Sequence, residues 1–267
     1  MSTSKFALPL LGISLCLVLL ASPAAGVMVV NHGTVSEFTS PDQLHLDPAT
    51  AVIAVDVFGN FDRSVNGVLF QADGPAGGVG IVTNGGVTST VSSTNQIDNW
   101  AAPPAFTGGT PGSAANLAAI MQDIRWSAAP NPVTVDISGL TPGRTYELQM
   151  LFNEGRNTND RRWDIGIEGQ LVVDDFSSEG VGVWNPSNSI AYTGEFTMAA
   201  GDTVLNVVMQ QHIGGQNPMG PDNNPILQAV IVHDAIVIPE PSTLMLAGLG
   251  LCALAGYALR RRRWRGG

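Results

Sequence analysis

The chain is 267 residues long, with 13% charged residues, two cysteines and a formal net charge of −10. Residues 27–238 hold 21 of the 22 acids, six arginines and no lysine, an acidity that excludes nucleic acid and anionic membrane as partners of that stretch, because both recruit basic patches. Cys16 and Cys252 lie in apolar end segments, leaving the middle with no internal disulfide or thiolate metal site. Roughly 210 residues bury a core large enough to manage without either.

Residues 6–20 are nearly all apolar, follow Lys5 and precede the small-residue cluster at 21–26. Residues 1–26 therefore read as a secretory signal peptide, with cleavage after Ala24 or after Gly26 both open. From there to residue 238 the chain alternates short apolar runs with turn residues. The runs 51–58, 132–137, 145–152, 163–167, 170–176, 191–197, 203–209 and 226–233 are rich in Val, Ile, Thr and aromatics and predict strands. Val133, Val135 and Ile137 alternate with polar residues, as do Tyr146, Leu148, Met150 and Phe152 with polar or smaller ones. Each run predicts one buried and one wetter face. Turns at 139–143, 168–170 and 200–202 recur at roughly ten-residue spacing, the rhythm of a sandwich. Leu117, Ile120, Met121 and Ile124 fall at helical spacing after Ser113, predicting one short helix with a Ser N-cap. The glycine-rich 74–80 reads as a flexible loop. No repeat and no long linker divides 27–238, so the expected fold is mainly β, a single antiparallel β-sandwich of 27–238 with one short helix.

Residues 242–259 are 18 uncharged, mostly apolar residues running into Arg260, Arg261, Arg262 and Arg263, with Arg265 beyond. That length can just span a bilayer, and the basic tail stays cytoplasmic, placing the rest of the chain up to Ile238 outside the inner membrane. Pro239, Glu240, Pro241 and Ser242, followed by this helix and tail, resemble the PEP-CTERM sorting signal over 239–267. The resemblance implies export by a Gram-negative bacterium, cleavage near the motif by an exosortase, membrane contact through the C-terminal helix before processing, and association with extracellular polysaccharide at the envelope, surface or matrix. The block at 139–154 with Arg162-Trp163-Asp164 and Gly169 is similar to malectin-like domains, sandwiches of the galactose-binding-like, jelly-roll class. It implies that fold and a capacity for glycan binding.

The four histidines, His32, His45, His212 and His233, sit in no nucleophile, zincin or phosphate-loop pattern, and the chain reads as non-enzymatic. Glu154 with Asp164, or Asp174 with Asp175, are the carboxylate pairs that a glycan-acting hydrolase would need. No cofactor is expected; oxygen ligands at Asn159, Asp160 and Asp164 read first as solvated turn residues, and if they hold a metal it is a structural calcium rather than zinc. For sugar contact the candidates are Trp100, Trp126 and Trp184, because indoles present a flat apolar face, together with His212 and Asp222 in the long loop 211–225, whose polar groups can bond hydroxyls. Trp163 alternates with Ile165 and Ile167 and is expected in the core. A surface protein that binds other proteins is the alternative to carbohydrate binding.

Overall fold

The computed structural model describes residues 29–30, 33–75, 77–100, 102–155, 161–179, 189–214 and 222–235. The expected signal peptide and the sorting segment 239–267 lie outside the described residues. Among the described residues no helix is long and apolar enough to cross a membrane.

In chain order the strands are β1 (Val29–Val30), β2 (Thr34–Phe38), β3 (Ala51–Asp56), β4 (Arg63–Val65), β5 (Val68–Ala72), β6 (Val79–Asn84), β7 (Val87–Ser92) and β8 (Asn95–Ile97). The helix α1 (Ser113–Ile120) follows, then β9 (Ile124–Trp126), β10 (Val133–Ser138), β11 (Thr145–Phe152), β12 (Arg162–Ile167), β13 (Gln170–Ser177), β14 (Ser189–Thr197), β15 (Val204–Gln210), β16 (Ile226–Leu227) and β17 (Ala229–Asp234). One sheet runs β1-β14-β11-β17-β3-β5-β4, with β2 also on β14; a second runs β13-β12-β15-β10-β7-β6; a small third runs β16-β9-β8. Pairing is antiparallel except for the short parallel register of β3 with β5.

The two large sheets face each other across a core built by period-2 alternation. Val133, Val135 and Ile137 of β10 and Leu205, Val207 and Met209 of β15 meet Leu148, Met150, Val230 and Val232 of the other sheet. Trp163, fully buried as expected, packs with Phe152 and Phe176 at centroid distances of 5.8 and 4.9 Å.

The outer face of the larger sheet is not wet. Leu151, Ala191, Ala229 and Ile231 point outward from it and are covered by Leu117 and Ile120 of α1 and by Met121 at its C-cap, with Phe106 and Phe38 stacked alongside at 5.4 Å. This corrects the half-wet reading of 145–152, in which Leu148 through Phe152 are all buried. β10, with no such cover, keeps the expected alternation.

Four other local expectations change. The helix N-cap is Gly112, in the left-handed region and without a side-chain bond; the Ser113 hydroxyl instead accepts from Asn66 N–H at 2.8 Å and pairs with Thr110 Oγ1 at 2.7 Å. The run 226–233 is two strands, because Gln228 turns between sheets, donating its N–H to Leu151 O and its side-chain amide to Asn153 O. The run 51–58 ends its strand at Asp56, and Phe58 takes a positive φ of 65°. Part of the 74–80 stretch is fastened, as the carbonyls of Gly74 and Gly77 accept from the buried Arg125.

Candidate functional site

The small sheet β16-β9-β8 carries the site, and Arg125 in its central strand holds that sheet in place. The Arg125 guanidinium is fully buried, donates from Nε to Asp73 Oδ2 at 2.9 Å and from Nη2 to Asp73 Oδ1 at 3.2 Å, and reaches Gly77 O at 2.7 Å. A Cβ at Gly80 would fall 1.8 Å from Asp73 Oδ2, so glycine there is what lets the pair sit beneath β6. Because side chains alternate along a strand, Arg125 pointing inward turns Ile124 and Trp126 to the opposite face.

On that face lies a cavity of about 190 Å³ lined by Ile97, Trp100, Ile124, Trp126, Arg161, Asp222, Asn224 and Ile226. Ile226 lies opposite Trp126 in the sheet, and Ile97 opposite Ile124. Trp126 is half-buried, and its Nε1–H is buried without an acceptor. Trp100 enters from the loop after β8. Its position is set on one side by Asp123, whose carboxylate accepts from the N–H of Asn99 at 2.8 Å. On the other side Gly155 packs so closely that a Cβ there would lie 2.7 Å from Trp100 O and 2.9 Å from its Nε1.

Arg161 joins the walls. Its Nε donates to Glu154 Oε2 at 2.7 Å, its Nη1 to Asn224 O at 3.0 Å, and its Nη2 pairs with Asp222 Oδ2 at 3.0 Å, while its guanidinium lies 5.8 Å from the centroid of the Trp100 ring. Glu154, almost fully buried, also accepts from Ser178 Oγ at 3.1 Å. Among the described residues Arg161 thus links Asp222 in the cavity wall to Glu154 behind it.

Three sequence candidates for sugar contact, Trp100, Trp126 and Asp222, are thus brought to one cavity from three segments. His212 is not among them: it is exposed, with Nδ1 3.6 Å from Asp164 Oδ2. Trp184 lies outside the described residues. Of the calcium candidates, Asn159 and Asp160 also lie outside them. Asp164 is fully buried, and its oxygens accept from the N–H groups of Asp175, Ile213 and Gly214. Among the described residues no group of three His, Cys, Asp or Glu side chains is placed to hold a metal ion. Sequence reasoning missed Arg161, Gly155 and Asn224 as cavity builders. Nothing in the local pattern around Arg161 marks it as turning inward.

Beside the small sheet lies a second group of acids. Burial pushes the Asp56 carboxyl up to about 8, helped by the charge of Asp123 and opposed by Arg63, whose Nε is 3.7 Å away. Asp123 is pushed up to about 6, chiefly by burial. Asp73 is raised by burial and held back by Arg125.

Residues 237–263 match the PEP-CTERM protein-sorting motif. The chain is accordingly an exported protein, processed by an exosortase and sorted to the cell envelope or surface. Among solved structures it is similar to malectin-like ectodomains of plant receptor kinases. The plant receptor-like kinase ANX2 is 12% identical at a TM-score of 0.49, covering 70% of this chain and 49% of that one. The ANXUR1 extracellular domain from Arabidopsis thaliana is 15% identical at a TM-score of 0.44, covering 69% and 48%. β-Glucuronidase 2 of Bacteroides uniformis is 13% identical at 0.42, covering 68% of this chain and 18% of that one. The chain spans about half the length of the receptor-kinase structures. No curated protein matches it. The sandwich assignment stands on the sheet order and core described above.

Proposed function

We propose that the exported domain is a non-catalytic carbohydrate-binding module that associates with extracellular polysaccharide at the surface or in the matrix of a Gram-negative cell. The observation that carries this reading is the convergence of Trp100, Trp126 and Asp222 on one cavity of about 190 Å³, apolar on one side and lined by Arg161, Asp222 and Asn224 on the other. An indole wall suits the C–H face of a pyranose, and neighbouring carboxylate and amide groups suit its hydroxyls. The acidity of residues 27–238, 21 acids to six arginines, favours neutral sugars over uronic acids. Glu154 is committed to Arg161 and Ser178, and Asp164 to three backbone N–H groups, which favours binding over hydrolysis. Titration calorimetry of the protein with the producing cell's own polysaccharide, with neutral oligosaccharides and with oligouronates, each with calcium and with chelator, tests the reading. Saturable binding of neutral ligands supports it. Absence of binding throughout, or sugar release, overturns it.

A further inference from the structure

A separate surface, on the opposite edge of the second sheet from β13, carries an inference of its own. β6 ends that sheet and, among the described residues, pairs only with β7. Gly78 O accepts from Ser93 N–H at 2.8 Å. Antiparallel pairing alternates with period two, so Gly80, Val82 and Asn84 turn their backbone groups toward β7, and Val79, Ile81 and Thr83 turn theirs to the free edge. The side chains of those three residues are exposed, Val79 by 51% and Ile81 by 61%.

Sheet edges are normally guarded by charge, shortness or irregularity. The other edges here follow that rule. β2 carries Glu37, β4 is three residues long with Arg63, and β13 carries Asp174 and Asp175 opposite register shifts in its pairing with β12. β6 has six residues, unbroken register and no charge, and residues 74–97 as a whole contain no charged side chain in a stretch otherwise rich in acids. Two copies of so acidic a protein repel over most of their surfaces, and the β6–β7 hairpin is where they approach without that cost.

We propose that β6 is a self-association edge that pairs antiparallel with β6 of a second copy about a twofold axis at Ile81. That register sets Ile81 opposite Ile81 and Val79 opposite Thr83, so that the cross-strand pairs these three exposed side chains make are all β-branched and all three outward residues exchange both backbone bonds. The interface is small and the pairing weak in dilute solution; confinement at a membrane surface or in a matrix raises the effective concentration and completes it.

The test is sedimentation of the full chain in mild detergent from about 1 to about 200 µM, a range that brackets a weak edge contact. A concentration-dependent dimer is expected for the wild type, weakened tenfold or more by Ile81→Lys and unchanged by Val35→Lys on the opposite sheet, with circular dichroism and melting temperature retained. Should Ile81→Lys fail to fold, Ile81→Cys decides the matter: oxidation should link two copies through position 81, whereas Val35→Cys should not link. A wild type that stays monomeric across the range, a lysine variant that dimerises like it, or equal crosslinking at 35 and 81 overturns the proposal.

Discussion

Asp56→Asn tests the electrostatics of the acid group beside the small sheet. The Asp56 carboxyl is 1% exposed, one of its oxygens has no hydrogen-bond partner, and its pKa is pushed up to about 8, first by burial and then by Asp123. In the unfolded chain the same group titrates near the ordinary carboxylate value of about 4. Between about pH 4 and pH 8 the native protein therefore holds one proton that the unfolded chain has released. Stability falls with rising pH across that window, by about 1.4 kcal/mol per unit. Below it both states are protonated, and above it both are ionised, so the slope vanishes at either end. Asparagine keeps the shape and has no proton to lose. The stability of the variant relative to the wild type should thus grow by about 3 kcal/mol from pH 5 to pH 7, on top of the slope contributed in both proteins by Asp123, whose pKa is pushed up to about 6. Urea unfolding followed by tryptophan fluorescence at half-unit pH steps measures it. Parallel profiles for the two proteins over pH 5–7 would refute a neutral, buried Asp56.

Other substitutions probe the cavity and the tail. Trp126→Ala should weaken sugar binding tenfold or more while leaving the melting temperature nearly unchanged; calorimetry showing full binding alongside a large thermal loss would mark the indole as a plug. Arg161→Ala removes the cation paired with the buried Glu154 and should cost about 3–5 kcal/mol, part of which Glu154→Gln in the same chain should restore; a double-mutant cycle with no coupling energy would contradict the ion pair. Gly155→Ala should displace Trp100 and lower affinity, read by the same calorimetry against an unchanged Gly143→Ala control for binding. Converting Pro239, Glu240 and Pro241 to alanine should abolish processing and leave export intact, and a released form of normal abundance on an immunoblot would refute the sorting role.

Strands were legible where inward positions were filled by Val, Ile, Leu and aromatics, as in β10, β11, β12 and β15. They were illegible in β6 and β7, where Gly80 and Ser89 occupy inward positions and no apolar run forms, although the turn between the two strands is marked by Gly85 and Gly86 at φ 56° and 89°. The outward halves of β2 and β5 are similarly diluted by polar residues. The split at Gln228 has no local signal, since the strand composition continues on both sides of it.

What the sequence determined by itself was composition-borne: a disulfide-free acidic sandwich, the sorting motif at the C-terminal end, and a short set of aromatic and acidic residues suited to sugar contact. Those properties are written in residue type and period-2 spacing, which the chain carries whether or not it is folded. The tertiary structure alone decided which candidates share a site. Trp100, Trp126 and Asp222 are far apart in the chain and meet only because Arg125 ties β9 to Asp73, Gly74 and Gly77 and Arg161 turns inward to bridge Glu154, Asp222 and Asn224. Contacts between segments so distant depend on how three sheets pack, and no local pattern encodes that.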